Sequence, residues 1–136
     1  MGQPSLNFTS VSVAAPDPRK LAEFYSELLG LPITSSEPPH PGAPPEDGWA
    51  QIRPPKGKSG PTLNFEYEPG HVRPVWPSVE GGQQLQTHLD LAVDDMQAAV
   101  SWAEGVGAVL ADFQPQDHVR VMLDPVGHPF CLFLQS

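Results

Sequence analysis

Hydrophobic and polar residues alternate in two stretches of the chain, and each alternation gives way to a helical spacing. In residues 8–14, Val11 and Val13 face one way and Phe8, Ser10 and Ser12 the other, which predicts a strand. Asp17 then stands as an N-cap, with Pro18 at the first helical position, where its absent N–H loses no bond. Leu21, Phe24, Tyr25, Leu28 and Leu29 recur on one helix face up to Gly30, the pattern of a helix lying on a sheet. The same order returns over residues 86–109. Leu85, Thr87, Leu89 and Leu91 alternate with Gln86, His88 and Asp90 over residues 85–92. Asp94 or Asp95 caps a helix whose stripe is Met96, Ala99, Val100 and Ala103, with Trp102 near its edge. Ser10 lies seven residues before Asp17 and His88 seven before Asp95, while Gly30 and Gly107 close the two copies.

Further strands are predicted at 31–34, 49–53 and 62–67 in the first half. In the second they fall at 108–113, 118–123 and 129–134, with the sequence DPVGH at 124–128 as a turn. Residues 35–48 carry five prolines and no apolar period, which predicts an irregular loop, either a mobile insertion or a flap over a site. Each half thus reads as strand, helix and three strands. The fold class is α+β: two paired βαβββ modules forming a curved mixed sheet around a central cup, in one domain. The first module covers about 6–68, the linker 69–83 and the second module 84–136. Helices cover one face of such a sheet, so the other face is expected to carry Ser10, Ser12, Asn64, Glu66, Gln86, His88, Asp90, Cys131 and Phe133. A slip of one residue in register sends all of them to the helix side.

Composition narrows the function. The formal charge of −9, from 16 acidic and 7 basic residues, argues against a nucleic-acid partner. No apolar run is long enough to cross a bilayer and the first residues do not form an export leader, so no membrane partner and a cytoplasmic location are expected. Cys131 is the only cysteine, which excludes an internal disulfide and a thiolate-rich zinc site.

The runs APDPRKLAEFYSELLGLPI, HLDLAVDDMQAAVSWAEGVGAV and LDPVGHPFCLFL, at these separations, resemble the vicinal oxygen chelate superfamily and most of all its glyoxalase-like branch. The superfamily includes glyoxalase I, extradiol dioxygenases, fosfomycin resistance proteins and bleomycin-binding proteins. The resemblance implies a cup with a divalent metal at its floor. It sets the ligand positions at Ser10, at Asn64 or Glu66, at His88 and at Cys131. It also implies a homodimer. Only His88 keeps a strong ligand there, and Ser10 with a thiol in place of a hard carboxylate argues for loss of the ancestral metal. No cofactor is therefore predicted. If a metal is held, the set is His88, Glu66 and Cys131, which suits zinc.

The predicted catalytic residues are His88, with Glu66 or Asp90 assisting. Those predicted to bind ligand are Ser10, Ser12, Trp49, Asn64, Gln86, Arg120, Met122, Cys131 and Phe133. For each a plainer reading stands beside this one. His88 is also readable as a hydrogen-bonded core histidine, Cys131 as a small buried hydrophobe, and Arg53 and Arg120 as solvated edge residues. His40, His71, His118 and His128 fall in loops, turns or strand ends without the spacing of a metal motif. The function expected is binding of a small organic molecule in the cup between the modules, with metal-independent lyase or isomerase chemistry in an enzymatic form. The alternative is non-catalytic binding or sequestration of a small molecule or antibiotic, and the third choice is a divalent-metal lyase or dioxygenase.

Overall fold

The computed structural model describes residues 2–135, and the chain divides into two compact units, one ending at Pro69 and the other starting at Gly70. In the first unit the order is β1 (Ser10–Ala15), α1 (Pro18–Leu29), β2 (Ser35–Glu37), β3 (Trp49–Ile52) and β4 (Thr62–Tyr67). In the second it is β5 (Leu89–Val93), α2 (Met96–Gly105), β6 (Val109–Leu110), β7 (Val119–Leu123) and β8 (Pro129–Leu134). Each unit is a βαβββ module with its own four-stranded mixed sheet, ordered β1-β4-β3-β2 in one and β5-β8-β7-β6 in the other. In both, the first strand runs parallel to the last and the remaining pairs are antiparallel.

Helix α1 forms as its sequence dictates. The Asp17 carboxylate accepts the Lys20 N–H, Pro18 occupies the first turn, and Gly30 ends the helix in the left-handed region at φ 67°. Its buried face, with Leu21, Ala22, Phe24 and Tyr25, lies on β3 and β4, whose Ala50, Ile52, Leu63 and Phe65 are all buried. Tyr25 stacks on Phe65 at 5.6 Å between ring centres and meets Phe24 edge-on at 4.8 Å. Burying one such aromatic contributes about 1.5–3 kcal/mol. Helix α2 is capped by Asp95, which settles the choice between the two aspartates, but it buries only Ala103 fully and leaves Trp102 57% exposed. The core of the second module rests instead on Met122, Phe130 and Leu132 from β7 and β8.

Several boundaries differ from those expected. The strand predicted at 31–34 forms instead at Ser35–Glu37 as β2, inside the proline-rich stretch, because Thr34 N–H and then Ser35–Glu37 pair with β3. The rest of that stretch is tied down: His40 donates its backbone N–H and its ring Nδ1 to Asp47 Oδ2, at 2.8 and 2.7 Å, and Arg19 Nη2 donates to the carbonyls of Pro45 and Asp47. The strand expected over 85–92 begins only at Leu89, since its parallel partner β8 starts at Pro129, after the turn. Likewise the strand expected from residue 8 begins at Ser10, opposite Thr62, which follows Pro61. Residues 108–113 supply only the two-residue β6. Segment 70–83 packs within the second unit. His71 donates to the Val126 carbonyl, Arg73 to that of Pro125 and the Trp76 indole to that of Phe113.

Candidate functional site

In the second module β5 brings His88 and Asp90 to the face of the sheet that also carries Cys131. Asp90 pairs directly with Cys131 in the parallel ladder, so their side chains leave the sheet on the same side. His88 immediately precedes the strand, and its Nε2 lies 3.2 Å from Asp90 Oδ1, with both side chains substantially exposed. Among the described residues, His88, Asp90 and Cys131 form a group whose ligand-type atoms all lie within 4.8 Å of one another. Burial, and then the charge of Asp90, push the Cys131 thiol above its ordinary pKa. The thiol form is therefore favoured, and the sulfur acts as a weak donor and packing group rather than a ready nucleophile.

The face is completed from β7 and β8. Val119 and Val121 pair with Phe133 and Cys131, so all four side chains share the face of Asp90. Arg120 and Met122, expected on the ligand side, pair with Leu132 and Phe130 and therefore lie on the other face. Met122 is fully buried, and Arg120 donates Nη1 to the carbonyls of Gln116, Asp117 and Val119. The turn at 124–128 sets this register; the apolar residues Val119, Val121 and Met122 occupy both faces of β7, so its sequence carries no alternation to read. Gln86 sits in an exposed bend before β5.

In the first module the corresponding face carries Ser10, Ser12, Trp49, Gln51, Asn64 and Glu66. Ser12 pairs with Asn64, Gln51 with Asn64 and Trp49 with Glu66. Arg53 Nε donates to Gln51 Oε1 at 2.8 Å, and Gln51 Nε2 donates to Asn64 Oδ1 at 2.9 Å. A guanidinium has no acceptor, so this relay has one direction, and Asn64 enters it through its oxygen. Gln51 is absent from the residues expected at the site, although its alternation with Trp49 and Arg53 was the available signal.

The residues at the implied metal positions do not make a cage for a hard divalent ion. Ser10 offers a hydroxyl, Asn64 already commits its oxygen to Gln51, and position 131 carries a sulfur, a soft donor where a hard ion takes oxygen. The group that does assemble on one sheet is imidazole, carboxylate and thiol, with Asp90 in the place where Glu66 was expected. Those are ligand classes that zinc accepts.

Comparison with known proteins agrees with this architecture. The glyoxalase-like domain family matches residues 10–133. No curated protein matches the chain in sequence. Among solved structures, the chain is similar to TnmS3, an antibiotic binding protein from Streptomyces sp. CB03234, at 20% identity over 99% of this chain and 100% of that one, with a TM-score of 0.59. It is also similar to a glyoxalase family protein from Enterococcus faecalis, at 19% identity over 93% and 96% of the two chains, with a TM-score of 0.64. A glyoxalase/bleomycin resistance protein/dioxygenase family enzyme from Burkholderia phytofirmans PsJN matches at 16% identity over 95% and 98%, with a TM-score of 0.61. At these identities the likeness concerns the fold. With two βαβββ modules and a match over nearly its whole length, the chain belongs to the glyoxalase-like domain family of the vicinal oxygen chelate superfamily.

Proposed function

We propose that the protein binds a small organic molecule on the helix-free face of the second module, with His88 as the group that exchanges a hydrogen bond or proton with it. The single observation behind this reading is the His88–Asp90 contact of 3.2 Å on an exposed strand start, beside Cys131. A neutral imidazole has one donor and one acceptor nitrogen, and a carboxylate at one of them fixes which nitrogen faces the ligand. Val119 and Phe133, both partly exposed, give the same face apolar surface, the usual lining of a site for an organic ligand. In a catalytic form, His88 takes a proton from the bound molecule and returns it elsewhere on the same molecule, an isomerase step, or to a leaving group, a lyase step. Glu66 lies in the first module, on the face that carries Asn64, and is a second candidate carboxylate by type alone.

Sequestration without chemistry is the second reading. It is favoured by the donor set at Ser10, Asn64 and Cys131, which does not fit the hard metal that the family's oxygen chemistry uses. The similarity in fold to a protein described as antibiotic binding is compatible with it. Calorimetric titration of the full chain with metal-free bleomycin and with planar aromatic compounds, all in chelator, tests the shared claim. We expect saturable binding that His88→Ala weakens about tenfold, equivalent to about 1.4 kcal/mol. Binding that ignores His88, or no binding in the set, would overturn the reading. Solvent deuterium entering the bound compound separates catalysis from sequestration.

A further inference from the structure

We propose that His71 and His128 form a two-imidazole site for a zinc-class ion, Zn2+, Ni2+ or Cu2+, on the turn between β7 and β8. The site lies wholly within the second unit and shares no residue with the group of His88, Asp90 and Cys131.

The hydrogen bonds around both rings fix which nitrogens are free. Asp124 is buried, and its Oδ1 accepts the backbone N–H groups of Val126 and His128 at 3.0 and 2.9 Å. Its Oδ2 lies 2.8 Å from His128 Nδ1. A carboxylate already accepting two amide bonds makes Nδ1 the donor, so neutral His128 carries its lone pair on Nε2. His71 Nε2 lies 2.8 Å from the Val126 carbonyl oxygen. That oxygen has no hydrogen to give, so Nε2 donates and neutral His71 carries its lone pair on Nδ1. Metal-binding histidines are oriented in this way, one ring N–H held by a carboxylate or a backbone carbonyl and the other nitrogen left for the ion.

The separation of the rings suits a shared ion. A metal–nitrogen distance of about 2.0–2.1 Å puts each imidazole centre about 3.2 Å from the metal, and a tetrahedral angle between two such ligands separates the centres by about 5 Å. The His71 and His128 ring centres are 5.0 Å apart, with their planes inclined by 50°. The His128 side chain is 22% exposed, which leaves room for water to complete the coordination. Arg73 donates to the Pro125 carbonyl and packs on Gly127, where φ is 91° and an added Cβ would meet the guanidinium at 3.0 Å. Its positive charge opposes any dication there, so the choice of ion rests on the imidazole donors, which suit zinc, nickel and copper better than magnesium or calcium. A bound ion ties the 70–83 segment to the turn.

The test is a zinc titration of the full chain, followed by calorimetry and by long-range 1H–15N spectra of the imidazoles. A His88→Ala/Cys131→Ser background removes the other group. We expect one zinc equivalent in that background, weakened about tenfold or more by His71→Gln and by His128→Gln and unchanged by His40→Gln or His118→Gln. In the parent protein, zinc should shift His71 Nδ1 and His128 Nε2 while the protons on His71 Nε2 and His128 Nδ1 persist, a readout independent of whether any variant folds. Absence of zinc binding in the background, or parent spectra in which those two nitrogens do not respond, overturns the proposal.

Discussion

His40 and Asp47 close the proline-rich loop by a charged contact whose strength follows pH. The hydrogen bond to Asp47, and then its charge, raise the pKa of His40, while hydrogen bonds from the His40 backbone and ring lower that of Asp47. A histidine raised in the fold contributes stability that is complete below its unfolded value, about 6.5, and lost as pH rises through the folded value. A carboxylate lowered in the fold contributes stability that is complete above its unfolded value, about 3.9, and lost as pH falls through the folded value. The contact is therefore strongest between about pH 4 and 6.5. Asp47→Asn should lower the His40 midpoint in an NMR titration, and an unchanged midpoint would remove Asp47 as the cause. At Cys131 the prediction concerns rate. Iodoacetamide should label it slowly at neutral pH, and Asp90→Asn should speed labelling, because the thiolate is the reactive form and the Asp90 charge opposes it.

At the scale of elements, the two helices share a capping aspartate but not a depth of packing. Five residues of α1 are buried against one in α2. Amide hydrogen exchange should therefore be slower in α1 than in α2, and equal protection would show that burial of the helix face does not set local stability. The entry to β3 depends on Gly48, where φ is 133° and an added Cβ would lie 2.6 Å from the Glu37 carbonyl and 2.8 Å from Arg19 Nε. That nitrogen is buried without a hydrogen-bond partner, pressed against the loop that its own guanidinium holds. Gly48→Ala should destabilise by at least about 1–3 kcal/mol in chemical denaturation, the backbone strain being joined by the clash with the Glu37 carbonyl. The sequence announced α1 because cap, proline, stripe and terminal glycine all agree. It misplaced β2 because five prolines read as irregular backbone, whereas pairing with β3 decides the strand.

Across the whole molecule, the duplicated pattern gives each half a sheet whose last strand is paired on both sides, β4 in one and β8 in the other. Phe65 and Phe130 occupy those strands and are fully buried. Either substitution to alanine should lower stability by about 3–5 kcal/mol, read as a shift of the denaturant midpoint. A shift much below that range would mean that the surrounding strands collapse into the space. Among the described residues no helix is long and apolar enough to cross a membrane.

The sequence by itself determined the order of elements, the cap of α1, the strands at 62–67 and 129–134, and the open face of β1, β4 and β5. Each follows from contacts within a few residues or from strict alternation. Only tertiary structure decided the face of Arg120 and Met122, the meeting of His88 with Asp90 and Cys131, and the pairing of His71 with His128. Those depend on register and on chain returning from 55 residues away, where the bond from His71 to Val126 forms. No local pattern records a distance that the turn at 124–128 and the strand ladder set together.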